Sequence, residues 1–192
     1  MVCQVPPAKT NIRKYRHMSL LEPELPPGLI YVRDWLTIDE HRAAMETIDQ
    51  SQFDTTLQRR VQHYGARYDY DSSSVGELGS APKIPDVLAV IGRRLFADGF
   101  FSRVPEQVIV NEYLADQGIA AHVDRNSFGE AVATVSLLES WQMLFRRLDD
   151  SEKVEVLLES RSLAVMTGES RYKWTHEIAK RKISLTFRTL GN

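Results

Sequence analysis

The sequence predicts an α+β chain, mainly β, in which helices in the N-terminal half pack outside a sandwich or jelly roll. Three observations predict it. Two segments before residue 100 carry apolar residues at helical spacing, the chain from Gln107 onward breaks into short β-prone runs divided by turn residues, and no helix-period segment interrupts those runs. With 192 residues, 43% hydrophobic and 26% charged, the chain has apolar material for one core and therefore one domain.

Taken in order, residues 1–28 carry prolines and mixed charge and read as an irregular arm leading into a domain over 29–192. Thr37-Ile38-Asp39-Glu40 has the form of a capping box and opens a helix running through about Asp49. A second helix starts near Pro85, a residue suited to a first helical turn, and runs to about Ala97 with Leu88, Ile91 and Leu95 along one stripe. The stretch between them, 51–84, is polar, aromatic and rich in Ser and Gly, and reads as loops or short strands. Strands are then expected over 107–114, 119–124, 131–138, 141–148, 154–158, 162–166 and 182–189. In the last of these, Ile183, Leu185 and Phe187 face one way, and Lys182, Ser184, Thr186 and Arg188 face the other. Two cations on one face of a strand near the core require a chemical reason.

Composition narrows the classes of function. Lys and Arg number 24 against 26 Asp and Glu, so the chain is not a general polyanion binder and any nucleic-acid contact must be local. Basic residues do cluster, at Arg59, Arg60, His63 and Arg67, at Arg146 and Arg147, and at 180–182. No apolar run has the length of a membrane span and the first residues lack the apolar region of a secretory signal. The expected state is a soluble cytoplasmic monomer with no membrane partner. One cysteine, Cys3, excludes an internal disulfide and a cysteine-based zinc cluster, which leaves a metal site to His, Asp and Glu.

The sharpest chemistry is at His122-Val123-Asp124. On a strand, residues separated by one share a face, so the imidazole and the carboxylate could grip one ion, and a further His would complete a facial set of three. Such a set leaves open positions on iron for a chelating cosubstrate and oxygen. His17, His41 and His63 precede the pair, and His176 alone follows it. By itself a His-x-Asp is common, with His122 a satisfied core histidine and Asp124 a turn cap as the plain alternative.

The order of motifs adds to this. Asn111-x-Tyr113, then Gly118 and His122-x-Asp124, then Gly168-x-Ser170-Arg171 leading to His176, then Lys182-x-Ser184-x-Thr186-Phe187-Arg188 resembles the AlkB family of iron(II)- and 2-oxoglutarate-dependent oxygenases. The resemblance covers about residues 57–190 and looks closest to the branch that includes the oxygenase domain fused, in animals, to a tRNA wobble-uridine methyltransferase. It implies a double-stranded β-helix holding Fe(II) through His122, Asp124 and His176, with 2-oxoglutarate and O2 as cosubstrates. It further implies that Lys182 and Arg188, with Asn111, Tyr113 and Ser184, hold the 2-oxoglutarate carboxylates. One departure is Lys182, where the family has Arg; a lysine is a point charge and lacks the planar fork.

The segment Leu57–Tyr68 is similar to the family's nucleotide-recognition loop, which implies that Arg60, Tyr64 and Tyr68 contact substrate. The alternative is that Tyr64 and Tyr68 pack on the jelly roll. Asn126, two residues after Asp124, stands where repair members carry an acid that favours a cationic methylated base. The function implied is oxidative demethylation of alkylated bases in DNA or RNA, with a tRNA-modifying hydroxylase and a protein or small-molecule hydroxylase as alternatives. The partner implied is nucleic acid: single-stranded DNA, RNA or tRNA. A metal-free RNA-binding module is the reading in which the triad has no part.

Overall fold

A computed structural model describes residues 24–56, 59–69, 74–113, 117–178 and 183–190. The elements in chain order are β1 (Leu29–Val32), α1 (Ile38–Asp49), β2 (Arg60–Tyr64), β3 (Tyr68–Asp69), β4 (Ser74–Val75), α2 (Asp86–Ala97) and β5 (Gln107–Glu112). There follow β6 (Ile119–His122), β7 (Phe128–Leu137), β8 (Trp141–Arg147), β9 (Lys153–Leu158), β10 (Leu163–Met166), α3 (Gly168–Tyr172), β11 (Trp174–Ile178) and β12 (Ile183–Leu190). Of the expected arm, 1–23 lie outside the described residues, and the first strand begins at Leu29.

Ten strands form two facing antiparallel sheets, one of six in the order β1-β10-β7-β12-β5-β2 and one of four in the order β6-β11-β8-β9, and β3 pairs with β4 in a separate two-stranded sheet. This is the jelly roll expected from the spacing of the β-prone runs. Alternation along each strand of the large sheet divides its side chains between two cores. Val108, Val110, Ala133, Val135, Leu185 and Phe187 point outward and pack with Ala44 and Ile48 of α1 and Leu88, Ile91 and Leu95 of α2. Val132, Ala164 and Met166 point inward and meet Met143, Phe145, Trp174 and Ile178 of the small sheet.

The helices form where their caps and stripes place them. Thr37 accepts from the Glu40 amide at 3.1 Å while the Glu40 carboxylate accepts from the Thr37 amide at 2.8 Å, closing the capping box. Pro85 precedes the first turn of α2, and the stripe of Leu88, Ile91 and Leu95 is fully buried.

Three elements escaped the pattern reading. β1 is four residues at the end of a proline-bearing arm, and α3 is a single turn and a half. β11 alternates well, with Trp174, His176 and Ile178 inward, but its five residues are half polar. The strand expected over 119–124 ends at His122, so Asp124 lies beyond it and not on the same strand as His122. β6 is an edge strand at that point, and Asp124 is held by side chains from elsewhere.

Candidate active site

β6 and β11 pair with His122 directly opposite His176, which brings the two imidazole rings to 4.3 Å between centroids. Asp124 enters beside them, its Oδ2 lying 3.9 Å from His176 Nε2. One ligand atom from each of the three residues lies within 4.8 Å of the others. The His122 Nδ1 donates to the Ala120 carbonyl at 2.8 Å, which assigns the proton to that nitrogen and leaves the Nε2 lone pair for the site. Asp124 Oδ1 accepts from Arg188 Nη2 at 2.8 Å, whereas Oδ2 is buried with no hydrogen-bond partner among the described residues. An unpartnered buried carboxylate oxygen facing two imidazoles fits a divalent cation.

Electrostatics support the same reading. Burial on its own would raise the Asp124 carboxyl, but Arg188, aided by His176, His122 and Arg171, holds it well below the usual carboxylate range. Burial pushes the His176 imidazole down to about 4, against the pull of Asp124, so it is neutral and able to ligate near pH 7.

The three residues sit in a cavity of about 740 Å³ between the two sheets. Its inner wall includes Asn111, Tyr113, Thr186 and Arg188, the inward faces of β5, β12 and the segment after β5. Asn111 Oδ1 accepts from Arg59 Nε at 3.0 Å, which turns the amide nitrogen toward Thr186 Oγ1 at 3.5 Å. Arg188 lies over the Phe128 ring at 4.5 Å, and its Nε is buried without a hydrogen-bond partner among the described residues. A buried donor on a guanidinium, beside an amide and a phenol, suits a carboxylate-bearing cosubstrate. Lys182 lies outside the described residues, as does the side chain of Ser184, whose backbone pairs with Asn111 and Ser136. The inward face foreseen for 182–188 is thus met at Thr186 and Arg188, with Leu185 and Phe187 in the outer core.

The residues expected to touch substrate divide. Tyr68 and Asn126 line the cavity, Tyr68 with its ring 5.6 Å from that of Phe128. Arg60 and Tyr64 do not. Both lie on the face of β2 turned toward the helices, where Tyr64 is in the outer core and donates to Gln62 Oε1 at 3.1 Å. Arg60 pairs with Glu112 and lies over the Phe53 ring at 4.5 Å. The correction is one of strand phase: with a period of two, the cavity side of this strand belongs to the odd-numbered positions. Arg59, the neighbour of Arg60, is the cation that reaches the cavity. In the sequence Arg59 is marked only as part of a basic cluster and Arg171 only as part of a motif, with no role for either, and Arg125 and Phe128 of the cavity wall are not marked. The double arginine at 59–60 was a visible signal, but only the strand's phase says which member points inward.

Comparison with known proteins agrees with this geometry. The family model described as the 2OG-Fe(II) oxygenase superfamily matches residues 37–188. The tRNA (carboxymethyluridine(34)-5-O)-methyltransferase alkbh8 of Xenopus tropicalis is 37% identical over 173 residues, covering 87% of this chain and 27% of that protein. The alkylated DNA repair protein ALKBH8 homolog of Arabidopsis thaliana is 29% identical over 201 residues, covering 92% of this chain and 58% of that protein. The chain thus spans about a quarter of the length of the first relative. Among solved structures, OsALKBH1 superposes with a TM-score of 0.70 at 20% identity, covering 87% of this chain and 99% of that one. A Pseudomonas putida prolyl-4-hydroxylase superposes with a TM-score of 0.59 at 18% identity, covering 85% and 94%. These last two share the fold. The AlkB-like resemblance read from the motifs is borne out, and the chain belongs to the 2OG-Fe(II) oxygenase superfamily.

Proposed function

We propose that this Fe(II)- and 2-oxoglutarate-dependent dioxygenase oxidises a modified base in nucleic acid, with His122, Asp124 and His176 as the metal ligands. The observation that carries this reading is one cavity lined by the triad and also by Arg59, Arg125, the Tyr68 ring and Asn126. Cations beside an aromatic ring suit a phosphate and an unstacked base. Fe(II) held by the triad, with 2-oxoglutarate and O2, supplies an oxidant for a C–H bond as 2-oxoglutarate is converted to succinate and carbon dioxide. The chain's own residues do the rest. Arg188 keeps Asp124 ionised and oriented, while Arg188, Asn111 and Tyr113 hold the cosubstrate carboxylates, with Lys182 and Ser184 as further candidates from the sequence. The inward wall of Met143, Met166 and Ile178 limits water around the reacting centre.

Among the described residues lining the cavity, Asp124 is the one carboxylate, and its oxygens are engaged by Arg188 and by the metal position. Among those residues no carboxylate is left over to attract a cationic methylated base. That favours a neutral modified base, hence a tRNA-modifying hydroxylase, over repair demethylation of cationic alkylated bases, which stays as the second reading. The names of the relatives above contain both tRNA and DNA-repair terms and support either. Among the described residues no helix is long and apolar enough to cross a membrane.

The deciding experiment measures succinate release by the iron-loaded chain with bulk tRNA, with a methylated single-stranded oligonucleotide, and with neither. Stimulation by tRNA without formaldehyde supports hydroxylation of a tRNA base. Stimulation by the methylated oligonucleotide with formaldehyde release supports demethylation, and equal turnover in all three overturns the nucleic-acid reading.

A further inference from the structure

Asp124 has an unusual position for a metal ligand in a β-structure: it follows the last paired residue of an edge strand, so no ladder bond holds its backbone. What holds it is Arg171. This side chain is 1% exposed, and its guanidinium donates from Nη1 to the Asp124 carbonyl and from Nη2 to the Arg125 carbonyl, each at 2.7 Å. Two successive carbonyls match the planar fork of an arginine, and a lysine could not span both with the same geometry. The Arg171 Nε is buried with no hydrogen-bond partner among the described residues, and the guanidinium lies 4.8 Å from the Tyr172 ring centroid. A buried cation satisfied mainly by neutral carbonyls is an expensive way to fill space.

We propose that Arg171 is a positioning residue that sets Asp124 against the two imidazoles, so that the affinity of the triad for its metal depends on it. The segment that carries Arg171 also carries His176. α3 is anchored by the Ser170 amide donating to the Pro27 carbonyl at 2.8 Å and by Ser170 Oγ, which accepts from the Thr167 amide at 3.2 Å. From there the chain runs into β11, which is paired on one side with β6 and on the other with β8. One short stretch of chain thus places the distal imidazole through a sheet and the carboxylate through a guanidinium. Arg171 adds to the turn after Asp124, in which the Phe128 amide donates to the Arg125 carbonyl at 3.1 Å. The same fork holds the backbone of Arg125, an exposed residue that lines the cavity.

This inference rests on the triad being the metal site, and its test separates the two. Mn(II), a redox-stable stand-in for Fe(II), is titrated into the full chain and into Arg171→Met, Arg171→Lys and Tyr172→Ala, with near-ultraviolet dichroism reporting that each is folded. Arg171→Met is expected to weaken Mn(II) binding by about 10–100-fold, the range for groups that orient a metal ligand. Arg171→Lys should recover only part of the loss. Tyr172→Ala, which keeps both carbonyl bonds, should bind as the unmodified chain does. Unmodified affinity in either Arg171 variant overturns the proposal, as does an equal loss in Tyr172→Ala. Should Arg171→Met fail to fold, Arg171→Lys decides by the same criterion. No Mn(II) binding by the unmodified chain overturns the metal site and this inference with it.

Discussion

Asp124 uses its two carboxylate oxygens differently: Oδ1 is bound to Arg188, and Oδ2 faces the imidazoles without a donor. Replacing Asp124 with Ala removes a ligand from an inner surface without touching either core, so succinate release should fall to background while the far-ultraviolet dichroism is kept. Turnover in that variant would exclude Asp124 as a ligand. Tyr64 and Tyr68 differ as sharply. Tyr64→Ala empties part of the outer core and should cost about 3–5 kcal/mol in urea denaturation, the scale of an aromatic truncation. Tyr68→Ala, at the cavity wall, should leave the denaturation midpoint nearly unchanged and reduce nucleic-acid-stimulated succinate release. A stable Tyr64→Ala would contradict its place in the core. The pair shows what the sequence could not resolve: both tyrosines sit in the same aromatic, basic segment, and only strand phase separates filler from cavity wall.

Among the elements, α1 was the most legible because its start is encoded locally. Its capping box also reaches further, since Glu40 pairs with Arg94 of α2 at 3.0 Å and so ties the two helices together. Thr37→Ala should cost about 1 kcal/mol of stability, measured by chemical denaturation, through loss of the cap. A change below about 0.3 kcal/mol would mean that tertiary packing alone holds the helix start. β12 was legible for a different reason, its clean alternation, with Leu185 and Phe187 outward and Thr186 and Arg188 at the cavity. β11 was not, although it holds His176. Five residues with a Thr and a Glu between the inward positions make a weak signal until β6 and β8 pair on either side.

At the scale of the whole molecule, the large sheet separates an outer core under the helices from a second core between the sheets, whose residues Val132, Met143, Met166 and Ile178 also line the cavity. A buried imidazole, His176, and a half-buried one, His63, make that arrangement sensitive to acid. Burial, with Arg67 adding to it, lowers His63 from 6.5 to about 4, and His176 is lowered to about 4 as well. Below pH 6.5 the unfolded chain takes up protons that the folded chain refuses, so their contribution is present above about 6.5 and is lost as pH falls toward 4. The metal-free chain should therefore lose thermal stability between those values, and His63→Gln should flatten the slope. An unchanged slope would mean that His63 titrates alike in both states.

The sequence by itself determined the jelly-roll class, the first helix start and the inward face of β12, because each is written in local spacing, while the His122, Asp124 and His176 candidates came from the order of motifs in the family it resembles. Only the tertiary structure decided that Arg59 and not Arg60 enters the cavity, that Tyr64 is core, and that Arg171 holds Asp124 from 47 residues away. Those outcomes depend on which face a strand turns to its neighbours and on contacts between distant segments. Neither is fixed until the sheets pair and the burial of one face excludes the other.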